Sequence, residues 1–256
     1  MVVTGTPRSG VAFTMAPMQA ASTQTKDSQP KGLDALRAEL PQWMDDALAR
    51  VPVFAVARAG GRDFLTLAGK DGKPEVAFFP DHATAEAWRA ARAAMDPQAW
   101  AGTRVASYRL SDVAVAHLSR VAPFRSGFQS APVDLRAADG LPAAVGTPPF
   151  ACPVFVVRLG DGRYPTLTAK GVDAFVPLYF SNTDAEAMRS RVKAGLESTE
   201  TVRLEVLDLT QALRIMHAAR SGIALRFRLV ASEANLRAAA EDARRDQTPN
   251  GASPQL

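Results

Sequence analysis

Hydrophobic positions along the central part of the chain switch between the spacing of strands and that of helices. The run Val51–Val56 is β-branched and aromatic and leads into glycines, which predicts a strand entering a hairpin. Further on, Ala87, Trp88, Ala91 and Met95 recur at helical spacing. Continued along the chain, the pattern predicts the order β-β-β-α-β-α-β-α. Strands grouped early in this way favour an α+β fold over a Rossmann-type parallel sheet.

The same order of elements occurs twice, at an offset of 99 to 101 residues. The matching blocks are two Pro-Val-Phe strands, two glycine-rich links, two aromatic strands, two helices that contain Ala-Glu-Ala, and His117 with His217. Self-similarity in seven ordered blocks indicates a duplication. We therefore predict two pseudo-symmetric repeats of about 100 residues, each a short-stranded, mostly antiparallel sheet with helices packed on it.

The predicted boundaries divide the chain into five segments. Residues 1–32 are a disordered or targeting tail, residues 33–50 are a lead-in helical segment with a kink or restart at Pro41, and residues 246–256 are a polar, disordered tail. The repeats cover residues 51–145 and 146–245 and share one two-lobed domain.

Short polar residues and prolines predict where the elements begin. Thr84, either Asn182 or Thr183, and Ser232 are candidate helix N-caps, because their side chains can accept hydrogen bonds from the first helical amides. Pro177 interrupts the second aromatic strand, which indicates that this strand lies at a sheet edge.

Composition excludes several classes of protein. Hydrophobic residues make up 47% of the chain and charged residues 22%, as in an ordinary globular protein. The 30 basic and 26 acidic residues give a net charge of +4, half of it carried by residues 1–32, so a nucleic-acid partner is not expected. The single cysteine excludes an intrachain disulfide and a cysteine-based zinc site.

The first thirty residues are rich in Ser and Thr and contain no acidic residue before Asp27. Such composition is typical of an organelle transit peptide, and an ordinary disordered tail fits equally well. No run of about 18 apolar residues predicts a transmembrane helix.

The residues best suited to chemistry do not form a catalytic pattern. His82 is expected to be an exposed loop residue, and His117 and His217 to pack at helix ends rather than to bind metal. Cys152 is expected to be a buried thiol. The adjacent carboxylates Asp45-Asp46 and Glu241-Asp242 are interpreted as solvated helix faces. We therefore predict no catalytic residue, no metal site, no cofactor and no enzymatic activity.

Six aromatic residues on the predicted strands allow two interpretations. They could fill the core, which is the usual place for strand aromatics, or line a surface that binds extended chains. Burial is favoured, so no binding residue is assigned. The six are Phe54, Phe78, Phe79, Phe155, Tyr179 and Phe180.

The ordered elements of residues 33–240 resemble a known family. A helix runs into the strand Val51–Val56, the aromatic strand Val76–Phe79 follows, and a helix leads to Asp96-Pro97-Gln98 and a further strand. The second copy ends with Phe227–Val230 and a helix that begins at Ser232. This order is similar to that of the twenty-two-kilodalton Tic component, a subunit of the translocon at the inner envelope of chloroplasts, with relatives in cyanobacteria and apicomplexan plastids.

The resemblance implies a soluble plastid preprotein-import factor with chaperone-like binding of unfolded or translocating proteins. Its partners would be preproteins and subunits of the translocon or of another plastid complex, with peripheral membrane association. The implied compartment is the plastid intermembrane space, with the stroma, thylakoid lumen or bacterial periplasm as alternatives. The alternative function is a non-catalytic assembly or scaffold subunit of a larger plastid or periplasmic complex.

Overall fold

The structure, a computed structural model, describes residues 40–58, 63–68, 74–118, 124–145, 149–169, 172–196, 200–219 and 226–247. Its helices are α1 Gln42–Leu48, α2 His82–Met95, α3 Leu110–Leu118, α4 Pro132–Asp139, α5 Asn182–Ala194, α6 Leu209–Ala218 and α7 Glu233–Gln247. Its strands are β1 Pro52–Arg58, β2 Leu67–Ala68, β3 Pro74–Phe78, β4 Thr103–Arg109, β5 Arg125–Phe128, β6 Ala143–Val145, β7 Pro153–Leu159, β8 Leu167–Ala169, β9 Val172–Tyr179, β10 Val202–Asp208 and β11 Phe227–Val230.

The predicted order of elements is found in both parts of the chain. We call residues 51–145 the N-terminal half and residues 146–247 the C-terminal half. Each half runs through three strands, a helix, a strand, a helix, a strand and a closing helix, and the N-terminal half adds β6. The mixture of helices with short, mostly antiparallel strand pairs confirms an α+β fold.

Corresponding strands pair in corresponding ways. In the N-terminal half β1 pairs antiparallel with β4, β2 antiparallel with β3, and β3 parallel with β5. In the C-terminal half β7 pairs antiparallel with β10, β8 antiparallel with β9, and β9 parallel with β11. The strand β1 also forms an antiparallel bridge with the residue after β3, between Phe54 and Phe79. In the C-terminal half β7 pairs with β9 through Phe155 and Tyr179.

The strands β1 and β7 are buried on both faces, which explains why their sequences are almost continuously hydrophobic. On β1, Val53 and Ala55 belong to the main core, whereas Phe54 and Val56 belong to a separate outer cluster. The strand β7 divides its side chains in the same manner. Helices α1, α3 and α6 contribute to the main core between the sheets, and α2 and α5 cover the outer faces.

Helix starts lie close to the predicted positions, but two of the caps are different residues. The N-cap of α2 is Asp81, which accepts from the backbone N–H of Thr84 at 2.7 Å, so Thr84 is the donor rather than the cap. The N-cap of α5 is Ser181, not Asn182 or Thr183. Ser232 does cap α7, because its hydroxyl accepts from the N–H of Asn235 at 3.2 Å.

The prediction that Pro177 marks an edge strand is wrong. Its strand β9 lies inside the six-stranded sheet, between β11 and β7. On the side away from β11, the described pairings of β9 join Val172 and Phe175 to β8 and Tyr179 to β7. Pro177 falls between these two partners, where a missing N–H donor removes little pairing.

The ends of the chain are only partly described. The helix α1 begins directly after Pro41, where a kink or restart was predicted, while residues 33–39 of the lead-in segment and the predicted tail of residues 1–32 lie outside the described residues. At the other end α7 extends to Gln247, two residues into the predicted tail of residues 246–256, because the helical hydrogen-bond pattern continues through this polar sequence. The remainder of that predicted tail lies outside the described residues.

Candidate functional site at the junction of the two halves

The closing helix of each half packs on the sheet of the other half. Helix α4, from the N-terminal half, contacts β7 and α5, and its Ala138 lies in their outer cluster. Helix α7, from the C-terminal half, contacts β1 and β4, and its Ala239 lies in the outer cluster of that sheet. The two halves are therefore joined by an exchange of helices.

Asp134 on α4 completes the start of a helix in the opposite half. Its carboxylate accepts a hydrogen bond from the backbone N–H of Asn182, the first residue of α5, at 2.9 Å. Burial raises the pKa of Asp134, although the hydrogen bond from Asn182 acts in the other direction. Asp134 therefore supplies an acceptor to one of the amides that a helix leaves unpaired at its start.

Asn235 on α7 does the same for α2. Its side-chain oxygen accepts from the backbone N–H of His82 at 3.0 Å, and its amide nitrogen donates to the carbonyl of Pro80 at 2.9 Å. Asn235 is buried, so both bonds are shielded from water. The residue fixes the turn that enters α2 as well as the first amide of that helix.

The C-terminal turns of α7 attach to the edge of β4 through Asp242. This carboxylate is buried and accepts from the backbone N–H of Ser107 at 2.8 Å and from its hydroxyl at 2.9 Å. It also pairs with Arg104, which reaches Asp246 at 2.7 Å. The prediction that Glu241-Asp242 is a solvated face is therefore wrong for Asp242, because the face of α7 that carries it packs on β4.

His117, on α3, contacts both β5 and α6. Its Nδ1 lies 3.1 Å from the carbonyl oxygen of Ser126 and 2.9 Å from the hydroxyl, and its Nε2 lies 2.9 Å from the hydroxyl of Thr210. A neutral ring protonated on Nδ1 donates to the Ser126 carbonyl and accepts from Thr210. Burial lowers the pKa of His117, which favours that neutral form. The predicted packing role is confirmed for His117, and the contact also links α3 to α6 in the opposite half.

His82 is not the exposed loop residue predicted from the sequence. It is the first residue of α2, its side chain is 32% exposed, and its ring packs edge-on against Phe54 with 5.1 Å between centroids. His217 lies in the last turn of α6 and is partly buried.

Cys152 is a buried thiol, as predicted. The hydroxyl of Ser130 donates to its sulfur at 3.3 Å, and burial raises the pKa of Cys152 to about 12. A thiol with this pKa is almost entirely protonated at neutral pH and is a poor nucleophile.

All six strand aromatics are buried, the most exposed being Tyr179 at 8%. The interpretation that they line an accessible surface is wrong, and the favoured interpretation, that they fill the core, is confirmed. Among the described residues, the large hydrophobic side chains that are exposed are Met95, Val133 and Val145.

The described ranges offer neither a metal centre nor a membrane span. In those ranges no group of three or more His, Cys, Asp or Glu side chains is placed to hold a metal ion. The described helices include none with the length and apolar character needed to cross a bilayer.

The residues that join the halves were not singled out from the sequence. Asp134 and Asn235 lie 101 residues apart, and their donors Asn182 and His82 lie 100 residues apart, which matches the offset of the repeats predicted from the sequence. Two short polar residues, one repeat offset apart on predicted helices, are the signal that could have marked this junction.

Comparison with known proteins agrees with this architecture. The fold is similar to a solved structure of Anabaena Tic22 (protein transport), with a TM-score of 0.59, 20% identity, and coverage of 82% of this chain and 98% of the Anabaena chain. It is also similar to Tic22 from Plasmodium falciparum, with a TM-score of 0.62, 14% identity, and coverage of 80% of this chain and 99% of that chain. No match was found among curated protein sequences. The profile of the Tic22-like family matches residues 5–224, and the chain therefore belongs to the Tic22-like family.

Proposed function

We propose that this protein is a plastid preprotein-import factor that binds unfolded or translocating polypeptides in the manner of a chaperone. The observation that supports the proposal is the family match over residues 5–224, together with a fold that spans nearly the full length of an Anabaena protein described as acting in protein transport. Its partners would be preproteins and translocon subunits, and its place the plastid intermembrane space.

We also propose that the architecture arose by duplication of one α+β unit. Corresponding strand pairs, reciprocal helix caps and an offset near one hundred residues all fit a duplicated α+β unit with exchanged closing helices. Such a body holds its two lobes in a fixed relationship, because each lobe contains a helix that belongs to the other. A fixed pair of lobes presents a constant surface to an extended client.

Client binding is tested with the full chain and a chemically unfolded client. The protein should suppress light scattering by the aggregating client in proportion to its concentration, and serum albumin at the same concentration should not. In isolated plastids, a photo-crosslinking preprotein arrested in transit should form an adduct with the protein. If neither suppression nor an adduct is observed, the proposed function is wrong.

One observation supports the alternative function, a non-catalytic assembly or scaffold subunit. Asp134 and Asn235 hold the two halves together by reciprocal contacts, and a rigid body loses little conformational entropy when it joins a complex. A scaffold subunit would co-purify with one complex at constant stoichiometry, whereas an import factor would exchange clients. A tagged full-length chain also reports the compartment, which distinguishes the intermembrane space from the stroma, thylakoid lumen or a bacterial periplasm.

A further inference from the structure

The two halves differ in what lies along the outer edge of β10 and of its counterpart β4, that is, the edge that faces away from β7 and from β1 respectively. In the C-terminal half the outer edge of β10 pairs in parallel with β6, through Val206 with Ala143 and Leu207 with Val145. The backbone N–H of Val206 donates to the carbonyl of Pro142 at 3.0 Å. A short extended segment therefore completes this sheet.

The corresponding strand β4 pairs with β1 alone among the described residues. Its Ser107, 99 residues before Val206, donates its backbone N–H to the carboxylate of Asp242, which lies 100 residues after Pro142. The carboxylate of Asp242 on a helix thus takes the position that the carbonyl of Pro142, directly before β6, holds in the other half. The last two turns of α7, Glu241–Gln247, stand where β6 would be expected.

The segment Glu241–Gln247 is held mainly by polar contacts. Its buried side chain among those described is Asp242, whereas the apolar packing of α7 on the outer cluster comes from Ala238 and Ala239, which precede this segment. By contrast α6 buries Leu209, Leu213 and Met216. When an ion pair such as Asp242 with Arg104 separates into water, both charges regain hydration, so release costs less than exposing a large apolar face.

We propose that the outer edge of β4 is a binding site for an extended polypeptide segment, and that Glu241–Gln247 covers this edge until such a segment displaces it. The segment adds in parallel alongside β4, as β6 adds to β10, and its main chain pairs with the amides and carbonyls that the strand edge offers. This inference rests on the proposed function and names the binding mode.

Charge defines the chemistry of the occupant. Arg104 pairs with Asp242 and Asp246 in the covered state and loses both partners when the helix moves away. An acidic residue in the incoming segment restores the ion pair. The preferred occupant is therefore an extended, β-prone segment with a carboxylate at the position facing Arg104.

The test uses a reversible lock between β4 and α7. The side-chain oxygens of Ser107 and Asp242 are 2.9 Å apart, so the double variant Ser107→Cys/Asp242→Cys puts one thiol on each side of this contact. Formation of the disulfide is verified by the loss of both free thiols before binding is measured. The buried Cys152 is left in place. The probe is a fluorescent peptide of alternating Val and Thr with one central Glu, and its affinity is measured by anisotropy with the lock oxidised and reduced.

We expect the reduced form to bind the probe at least about fivefold more tightly than the unsubstituted chain, because more of the protein then has an open edge. The oxidised form should not bind it. A probe N-methylated at every residue should bind to neither form, since it has no N–H group left to donate to a strand. Glu233→Ala, which removes an exposed ion pair at the other end of α7, should leave binding unchanged.

Equal affinity of the oxidised and reduced forms would overturn the edge site. The same forms are assayed for suppression of client aggregation, so that the two proposals can be separated. If all forms suppress aggregation equally, the proposed function stands and the edge site is wrong. If no form binds the probe or suppresses aggregation, both are wrong.

Discussion

Asp134 and Asn235 each accept a hydrogen bond from the first amide of a helix in the opposite half. The donors, Asn182 and His82, are the first residues of α5 and α2. Each of these helices therefore begins against a side chain that the other half supplies. The junction is built from reciprocal polar contacts as well as from apolar packing.

Replacement of Asn235 should be more damaging than replacement of Asp134. Asn235→Ala leaves the N–H of His82 and the buried carbonyl of Pro80 without their partner, at a cost of about 2–4 kcal/mol in the free energy of unfolding. Asp134→Ala loses a single partly exposed cap, at about 1 kcal/mol. Urea unfolding followed by tryptophan fluorescence measures both. Equal, small losses would contradict the role assigned to Asn235.

Asp134→Asn tests whether the charge of Asp134, at the start of α5, affects the stability of the protein. The pKa of Asp134 is raised in the folded protein, so the stabilisation from its protonated form is complete below its unfolded pKa of 3.8 and is lost as pH rises through the folded pKa. Asparagine keeps the oxygen acceptor without the charge. The free energy of unfolding of the variant, relative to the unsubstituted chain, should therefore increase between pH 4 and pH 7. A difference that is constant over this range would refute the assignment.

The His117 contact makes stability sensitive to mild acid. The pKa of His117 is lowered by burial, so the unfolded chain takes up a proton first and stability falls as pH drops below the unfolded pKa of 6.5. His117→Gln should reduce the loss of stability between pH 7.5 and pH 5.5. An equal loss of stability in the variant and in the unsubstituted chain would contradict this role of His117. Unfolding midpoints in urea at the two pH values provide the measurement.

Cys152 should react with thiol reagents only when the protein opens. Its pKa of about 12 and complete burial leave almost no accessible thiolate, so labelling of the native chain at pH 8 should be at least about a hundredfold slower than labelling in urea. Because this pKa is raised from 9.0, stability should also decline as pH rises above that value. Fast labelling of the native chain would show that the thiol is accessible.

The order of elements was predictable because it depends on local periodicity. Strands such as β1 and helices such as α5 carry their signal within a few residues. Helix caps were less certain, since Ser181, Asn182 and Thr183 are all capable acceptors and only the backbone conformation selects Ser181.

The exchange of closing helices could not be predicted in the same way. The buried faces of α4 and α7 are small or polar, and two similar sheets offer similar surfaces, so no local pattern decides which sheet a helix covers. The burial of Asp242 depends on Arg104, which lies 138 residues away. The prediction of an edge strand at Pro177 failed for a similar reason. The change of partner along β9, from β8 to β7, is a tertiary feature that the local sequence does not record.

The exchange also sets the order in which the molecule can be completed during synthesis. The helix α4 that covers the C-terminal sheet is already made when the first strand of that half emerges. The N-terminal half, although translated first, must wait for α7 before its outer cluster gains Ala239 and before α2 gains its partner Asn235. Of the described helices, the one made last finishes the first sheet to be made, and a chain cut between the halves leaves each sheet without one of the helices that cover it.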